Sequence, residues 1–260
     1  MNSRTIVTRK GIQSELREAG DGAPLVYLHG AGGLLAQEPL LDRLAERYHV
    51  YAPIWPGYGE EATEDLIEDM LDFTLHGWDV VDALGLQRPH LIGHSMGGMI
   101  AAEMAVLNPR GVDRLVLIDA AGLWLDEHPI PDIFSMLPFK LGGLLFHDPK
   151  QGEAILTGGV DFSDSQALTD FMVGNARRLG TAGKILFPIP NRRLSKRLYR
   201  LTNPTLVVWG EDDRLIDPVY ADRWLELVPQ ATKALIPEAG HMAPYEQPDG
   251  VAAAIVSFLG

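Results

Sequence analysis

The chain has 260 residues, of which 46% are hydrophobic and 22% charged, as expected for one large soluble domain or for a core domain that carries an insertion. Its 22 Lys and Arg against 35 Asp and Glu give a formal net charge of −13, which disfavours nucleic acid and anionic membranes as partners. The sequence contains no cysteine, which excludes disulfide bonds, thiolate zinc sites and a cysteine nucleophile.

The chain also lacks recognisable targeting segments. Its first residues contain no apolar stretch of the kind found in secretory signals. No apolar run reaches the roughly 20 residues of a membrane span. We therefore expect a cytoplasmic protein without stable membrane association, and a homodimer remains open.

Short apolar runs alternate with longer amphipathic segments, and this alternation predicts a parallel α/β sheet. Strands are predicted near residues 4–9, 12–17, 25–29, 49–54, 90–94, 114–119, 205–210 and 233–238. Helices are predicted at residues 63–84, 97–108, 219–228 and 246–259. Because only Lys10 and Gly11 separate the first two strands, these strands are expected to pair as an antiparallel hairpin.

The alternation stops between Gly122 and Leu201, where helical pieces and prolines occur without a convincing buried strand. This interruption predicts an insertion. We expect residues 1–122 and 201–260 to form the core domain, and residues 123–200 to form the inserted segment.

A glycine-rich motif lies where a strand is predicted to meet a helix. The stretch Gly93-His94-Ser95-Met96-Gly97 matches GxSxG, and in this setting a sharp turn exposes the serine as a nucleophile. Larger side chains two residues to either side would collide across the turn. A simpler interpretation is an ordinary turn in which the serine caps the helix.

An activated serine needs a base, and the base needs an acid to orient it. Asp212 and Asp213 follow the strand predicted at 205–210, and His241 lies before the last predicted helix. The spacing leaves room for one helix and one strand between acid and base, so both are expected at neighbouring strand ends. Taken singly, each of these residues has an ordinary helix-capping interpretation.

These features together resemble the α/β-hydrolase fold superfamily over essentially the whole chain. The resemblance also rests on LHGAGG, PGYG, GHSMGG, GEDDRLID and GHMAPYEQPD. It implies a mostly parallel sheet of about eight strands flanked by helices, with residues 123–200 as a helical cap. It favours Asp213 over Asp212 as the acid and leaves Asp119 as a third position. It implies a small-molecule substrate, with no metal and no organic cofactor.

Acyl transfer requires hydrogen-bond donors for the negative charge that develops on the substrate oxygen. The backbone amide of Met96, directly after the nucleophile, is one expected donor. The resemblance implies the amide of Ala31 as the second donor. Gly30, His94 and Met242, which neighbour these positions, are the expected substrate-binding residues.

Glycine-containing loops follow the strands predicted at residues 25–29 and 49–54. His29 is expected to shape its loop through hydrogen bonds, and the alternative of a phosphate-binding glycine loop is disfavoured because neither GxxxxGK[ST] nor GxGxxG follows a strand here. Relatives often read Asp-x-Pro-Gly-x-Gly-x-Ser in the next loop. This chain instead reads IWPGYGEE from Ile54 to Glu61, so the polar contacts of that aspartate and serine are missing.

The inserted segment contains apolar and basic clusters. Most of the apolar residues are expected to hold the cap on the core, and a few to line an acyl pocket. They are Ile133, Phe134, Met136, Leu137, Phe139, Leu141, Leu144, Leu145, Phe146, Met172 and Phe187. The basic residues are expected on a solvated helix face, with a grip on a substrate carboxylate as the alternative. They are Arg192, Arg193, Lys196, Arg197 and Arg200.

The leading hypothesis is a serine hydrolase that cleaves a carboxylic ester or lactone, with a largely apolar acyl group, through an acyl-enzyme on Ser95. Carbon–carbon bond hydrolases of aromatic degradation also resemble the chain, although they usually have Asn and Trp where it has His94 and Met242. A slow-turnover signalling receptor on the same scaffold is a third hypothesis. Haloalkane dehalogenases and epoxide hydrolases use an aspartate nucleophile, so Ser95 disfavours both.

Overall fold

A computed structural model describes residues 1–59, 63–137, 140–187 and 193–260. Glu60, Glu61, Phe139 and Arg192, which the sequence analysis singled out, lie outside the described residues. The described chain forms one sheet of eight strands. The strands are β1 (Asn2–Val7), β2 (Gln13–Ala19), β3 (Ala23–Leu28), β4 (Tyr48–Pro53), β5 (His90–His94), β6 (Leu115–Ile118), β7 (Thr205–Gly210) and β8 (Ala231–Ile236).

The sheet has the spatial order β1-β2-β4-β3-β5-β6-β7-β8. The predicted hairpin is confirmed, since β1 and β2 pair antiparallel from Asn2 opposite Glu18 to Val7 opposite Gln13. β2 also runs antiparallel to β4, and the remaining pairs are parallel. The carboxyl ends of β3 to β8 therefore lie along one edge, where ligands bind in open α/β sheets.

Helices cover both faces of this sheet. They are α1 (Pro39–Leu44), α2 (Met70–Ala83), α3 (Met96–Leu107), α4 (Gly142–Leu145), α5 (Pro149–Thr157), α6 (Ser165–Leu186), α7 (Val219–Leu227), α8 (Ala243–Glu246) and α9 (Pro248–Leu259). α2 starts later than predicted because the Asp69 carboxylate caps it, accepting the amides of Leu71 and Asp72 at 2.8 and 3.0 Å. The six-residue α1 was not predicted, because it is too short to show a helical repeat.

The central strands divide the core into two layers. Alternate residues of a strand point to opposite faces, and in β6 Leu115 and Leu117 join one buried cluster while Val116 and Ile118 join the other. α2 and α3 contact each other, as do α1 and α9. Every residue of β5, β6 and β7 is buried, as the continuous apolar runs predicted.

Residues 123–200, which we call the cap segment, enter the chain between β6 and β7 and contain α4, α5 and α6. No strand occurs in this segment over the residues that are described. Its contacts with the core include a hydrogen bond from Arg177 Nη1 to the Gly59 carbonyl at 3.2 Å and one from Lys184 Nζ to the Ile67 carbonyl at 2.9 Å. Across the described ranges, no helix has both the length and the apolar character needed to span a membrane.

Two residues of the basic cluster contact the core at a distance from the carboxyl edge of the sheet. Arg197 forms a two-point ion pair with Glu103 of α3, and Arg200 Nε donates to the Val106 carbonyl at 3.0 Å. Glu103 and Val106 lie in the last two turns of α3, whereas its first turn follows Ser95. These two arginines thus differ from the expectation of a solvated helix face, because they fasten the end of the cap segment to α3.

This ion pair predicts an asymmetric loss of stability. The Glu103 side chain is only 6% exposed and that of Arg197 is 39% exposed. Arg197→Met leaves a buried carboxylate without its cation, so we expect about 2–3 kcal/mol lower unfolding free energy, less than the loss for a fully buried pair. Glu103→Gln leaves a cation that water can solvate, and should cost about 1 kcal/mol. Urea unfolding at pH 7 measures both losses, and equal values would contradict this explanation.

Candidate active site

Ser95 occupies a strained turn between β5 and α3. Its φ of 54° and ψ of −117° are unusual for a residue with a side chain. Backbone hydrogen bonds hold it there: its amide donates to the Ile118 carbonyl at 2.9 Å, and its carbonyl accepts the amides of Met99 and Ala121 at 3.2 and 3.0 Å. The Ser95 side chain makes no capping hydrogen bond to α3, so the simpler capping interpretation lacks its defining contact.

Three glycines allow this turn to close. A Cβ atom on Gly93 would lie 2.2 Å from the Gly97 carbonyl oxygen, and one on Gly97 would lie 2.0 Å from the Leu28 carbonyl oxygen. A Cβ atom on Gly98 would lie 2.6 Å from the Cβ of Ala120. Any side chain at these positions would force α3 away from the sheet, so the motif glycines are required by contact distance.

His241 connects Ser95 to Asp213. Its Nε2 lies 2.8 Å from Ser95 Oγ, and its Nδ1 lies 2.8 Å from Asp213 Oδ2. The amides of Leu215 and Ile216 both donate to Asp213 Oδ1 at 2.9 Å, which leaves the other carboxylate oxygen for the imidazole. With its Nδ1 proton donated to the carboxylate, His241 can accept the serine proton at Nε2.

The two other acidic candidates lie elsewhere. Asp212 Oδ2 is 2.7 Å from Nδ1 of His147 on the surface. Asp119 is fully buried, and its Oδ1 accepts the Gly210 amide at 2.8 Å, while its Oδ2 has no partner in the described part of the chain. Burial, followed by the charge of Asp213, raises the pKa of Asp119 well above its usual range. The structure therefore brings Asp213 alone of the three to His241.

The loop after β3 places the expected oxyanion donor beside Ser95. The Gly30 carbonyl accepts hydrogen bonds from the Gly33 amide at 3.1 Å and from His29 Nδ1 at 2.8 Å. A trans peptide directs its N–H opposite to its C=O, so the Ala31 amide points away from those two donors. Ala31 and Ser95 line the same cavities, and the role of the Ala31 amide as an oxyanion donor stays a prediction.

His29 holds this loop in its neutral form. Its Nε2 accepts the Trp55 amide at 3.3 Å, so the ring proton lies on Nδ1 and is donated to Gly30. Burial lowers the pKa of His29 to about 4. Its ring also lies 4.7 Å from that of Tyr58. Trp55 and Tyr58 thus contact His29 from the loop in which this chain lacks the aspartate and the serine of its relatives.

The Met96 amide is the second expected donor. Met96 is the first helical residue of α3, where backbone N–H groups have no partner within the helix. No other described group accepts a hydrogen bond from it. The N-terminus of this 12-residue helix adds a partial positive charge at the same place. Amide and helix together favour a negatively charged oxygen near Ser95.

A cavity of about 260 Å³ opens beside Ser95 and His241. Gly30, His94 and Met242, the expected substrate-binding residues, all line it. The cap segment contributes most of its remaining wall, including Leu141, Leu145, Phe162, Leu168, Phe171, Met172, Asn175, Arg178 and Leu179. A second cavity of about 60 Å³ shares Ala31, Ser95, Ile133 and Leu215 with the larger one, and its wall is mainly apolar.

Some residues of the apolar cap cluster line these two cavities, and others do not. Residues of the cluster that line a cavity are Ile133, Phe134, Leu141, Leu145 and Met172. Phe146 is fully buried, whereas Leu137 and Phe187 are 52% and 54% exposed. Only part of this cluster therefore faces the space beside Ser95.

Sequence reasoning missed the polar residues of the cavity. Asn175 and Arg178 lie on the same stripe of α6 as Leu168, Phe171 and Met172. The sequence pattern that could have predicted them is an asparagine and an arginine at helical spacing within an apolar stripe. Tyr245 was also missed; its hydroxyl donates to Glu38 at 2.8 Å, and burial raises the pKa of that carboxyl to about 7.

The fold brings a serine, a histidine and an aspartate into contact at the carboxyl edge of an α/β sheet. The sequence model of the alpha/beta hydrolase family matches residues 25–254, and the chain belongs to this family. The predicted fold is thereby confirmed.

Similar proteins are named for different activities. The chain is 26% identical over 265 residues to a 2-hydroxy-6-oxo-6-(2'-aminophenyl)hexa-2,4-dienoic acid hydrolase of Metapseudomonas resinovorans. The matched region covers 97% of this chain and 89% of that protein. It is 28% identical over 256 residues to Lipase 1 of Psychrobacter immobilis, with 89% and 75% covered. A meta-cleavage product hydrolase of Pseudomonas fluorescens IP01 has a TM-score of 0.80 at 22% identity, with 98% and 97% covered.

The buried Asp119 carboxyl predicts a pH-dependent stability difference. Because its pKa is raised in the folded state, the folded protein keeps a proton that the unfolded chain loses above about pH 4. Wild-type stability is therefore lost as the pH rises from there towards the folded pKa. Asp119→Asn keeps the acceptor for Gly210 without that proton, so its stability relative to wild type should increase as the pH rises above about 4.

Chemical denaturation over this pH series measures the difference. Asp21→Asn, at an exposed carboxylate, serves as the control for a lost surface charge. A difference between wild type and Asp119→Asn that stays constant with pH would contradict a retained proton on Asp119.

Proposed function

We propose that the protein is a serine hydrolase that cleaves a carboxylic ester or lactone with a largely apolar acyl group. The observation that carries this proposal is the position of His241, 2.8 Å from both Ser95 Oγ and Asp213 Oδ2, beside a mainly apolar cavity. A serine hydroxyl acquires nucleophilic character from such a base, and the base is oriented by such a carboxylate.

The reaction begins with proton transfer from Ser95 Oγ to His241 Nε2 as the oxygen attacks the ester carbonyl carbon. The carbonyl π electrons move to the substrate oxygen, where the Ala31 and Met96 amides stabilise the negative charge. When the carbonyl re-forms, the carbon–oxygen bond to the leaving group breaks, and His241 gives its proton to that oxygen. Water then attacks the acyl-enzyme with His241 again as base, which releases the acid and restores Ser95.

The electrostatic arrangement favours this sequence of steps. Asp213 is buried beside His241, so its negative charge stabilises the imidazolium that forms when the serine is deprotonated. Each oxyanion amide supplies about 2.7–4 kcal/mol of transition-state stabilisation in enzymes where one donor has been removed. These groups are already in place within the fold, so little reorganisation accompanies the charge transfer.

In this proposal, residues 123–200 act as a cap that supplies the substrate walls. α4 and α6 place apolar side chains over the core residues of the larger cavity, and Ile133 contributes to both cavities. The Met242 amide, next to the base, donates to the Leu145 carbonyl of the cap at 3.0 Å. Ser95 lines both cavities, which in this proposal take the two parts of an ester.

Substitution of the two neighbouring aspartates tests the assignment of the acid. Asp213→Asn should lower kcat for p-nitrophenyl butyrate about 10³ to 10⁴-fold, because His241 loses its orienting carboxylate. Asp212→Asn is the matched control, since its carboxylate contacts only the surface His147 among the described side chains. Steady-state release of p-nitrophenolate measures both rates, with Ser95→Ala as the blank. Comparable losses in both variants would contradict the assignment of Asp213.

A carbon–carbon bond hydrolase acting on a carboxylate-bearing substrate is the second candidate. Arg178 favours it: the side chain lines the larger cavity, and its buried Nε has no hydrogen-bond partner in the described residues. Burial lowers its pKa, yet a guanidinium remains protonated at neutral pH. A partly buried cation with no ion pair among the described residues favours a substrate with an anionic group. The dienoic acid hydrolase from Metapseudomonas resinovorans is named for such an acid.

A pair of matched substrates tests the role of Arg178. We expect Arg178→Met to lower kcat/KM for p-nitrophenyl hemisuccinate, which carries a carboxylate, about 10 to 100-fold through loss of charge-assisted hydrogen bonds. The uncharged p-nitrophenyl butyrate should change little. Arg177→Met is the control, because its neighbouring guanidinium donates to Gly59 and does not line the cavity.

Turnover of 2-hydroxy-6-oxo-6-phenylhexa-2,4-dienoate, the substrate for which a Burkholderia cepacia relative is named, separates the two candidates. Efficient loss of this compound that depends on Arg178 would favour the carbon–carbon hydrolase. Rapid ester hydrolysis with the dienoate left intact would remove that candidate.

A further inference from the structure

His94 lies between the two loops that flank Ser95. Its Nε2 is 2.8 Å from the backbone carbonyl oxygen of His241, and its ring centroid is 5.3 Å from that of His241. On its other side, His94 Nδ1 would lie 3.2 Å from a Cβ atom at position 30, so the ring fits closely because that residue is glycine. One imidazole thus touches both the base loop and the loop of the oxyanion donor Ala31.

The hydrogen bond fixes the protonation state of His94. A backbone carbonyl can only accept, so the ring proton lies on Nε2 and is donated to His241. Burial, together with the neighbouring His241, lowers the pKa of His94 to about 3, so the ring is neutral. A neutral neighbour matters because a second cation would oppose protonation of His241.

The peptide bond after His241 is held from two directions. Its carbonyl accepts the proton of His94, which belongs to the core strand β5. Its amide, that of Met242, donates to the Leu145 carbonyl of α4 in the cap segment at 3.0 Å. The hydrogen bond from His94 therefore attaches this peptide bond to the core.

We propose that His94 is a positioning residue that holds the His241 main chain at the distance from Ser95 required for proton transfer. The contacts form a closed ring: Ser95 contacts the His241 side chain, the His241 carbonyl accepts from His94, and His94 directly precedes Ser95 in the chain. The inference rests on the proposed function, because it assigns His241 the role of base. It goes beyond the sequence-based expectation that His94 contacts substrate.

Two variants of similar size separate hydrogen bonding from packing. His94→Gln keeps a neutral N–H donor at about the reach of Nε2, whereas His94→Met fills similar space without a donor. His90→Asn is the control, since it alters a buried histidine at the opposite end of the same strand. The readout is the rate constant for labelling of Ser95 by a fluorophosphonate, followed by intact-protein mass spectrometry, with Ser95→Ala as the blank. This reaction needs an activated serine but no physiological substrate.

We expect His94→Met to be labelled at least about ten-fold more slowly than wild type, because small displacements of a catalytic group have large effects on rate. His94→Gln should recover to within about three-fold of wild type, and His90→Asn should react normally whatever its melting temperature. Equal rates for His94→Met and wild type would overturn the positioning role, as would equally slow labelling of His94→Gln and His94→Met. Absence of labelling in wild type would instead overturn the proposed serine mechanism, and the His94 role with it.

A measurement on the wild-type protein is independent of how the variants fold. Nitrogen-15 NMR of the imidazoles should show His94 as a neutral ring with its proton on Nε2 throughout the pH range in which the protein stays folded. A proton on Nδ1, or a ring that titrates near neutral pH, would overturn the proposal.

Discussion

The close approach of α3 to the sheet is the constraint on which the rest of the site depends. Gly93 and Gly97 allow backbone atoms to approach where a Cβ would lie 2.2 and 2.0 Å from carbonyl oxygens. That approach places Ser95 in its strained conformation at the carboxyl edge of the sheet, and hydrogen bonds from the end of β6 hold it there. The same contact brings the first amides of α3 beside the serine. The positions of Ser95 and of the Met96 amide therefore follow from one packing requirement.

The buried charges around this turn are arranged in opposite ways. Asp213 has two backbone amides on one carboxylate oxygen and His241 on the other. Asp119 has one amide and an unpartnered oxygen among the described residues, and burial raises its pKa well above its usual range. Asp213 thus has hydrogen-bonding partners on both carboxylate oxygens, whereas burial disfavours the charged form of Asp119.

The sequence predicted the sheet well because apolar runs and short connections determine strand burial and the first hairpin. It placed the start of α2 too early, since the Asp69 cap is a matter of local geometry. The order of Ser95, Asp213 and His241 pointed to residues that the fold brings into contact, although their catalytic roles remain predictions. Arg178 and the two contacts of His94 could not be predicted, because they depend on how the cap segment and three separate loops meet in space.

The central claim is that Ser95 carries the acyl group during turnover. The most direct measurement is rapid acid quench of the protein during hydrolysis of p-nitrophenyl butyrate, followed by peptide mass spectrometry. We expect a butyryl group on Ser95, with a mass increase absent from Ser95→Ala and an adduct that decays at the rate of turnover. Sustained hydrolysis with no adduct on Ser95, or with the same rate in Ser95→Ala, would contradict the account.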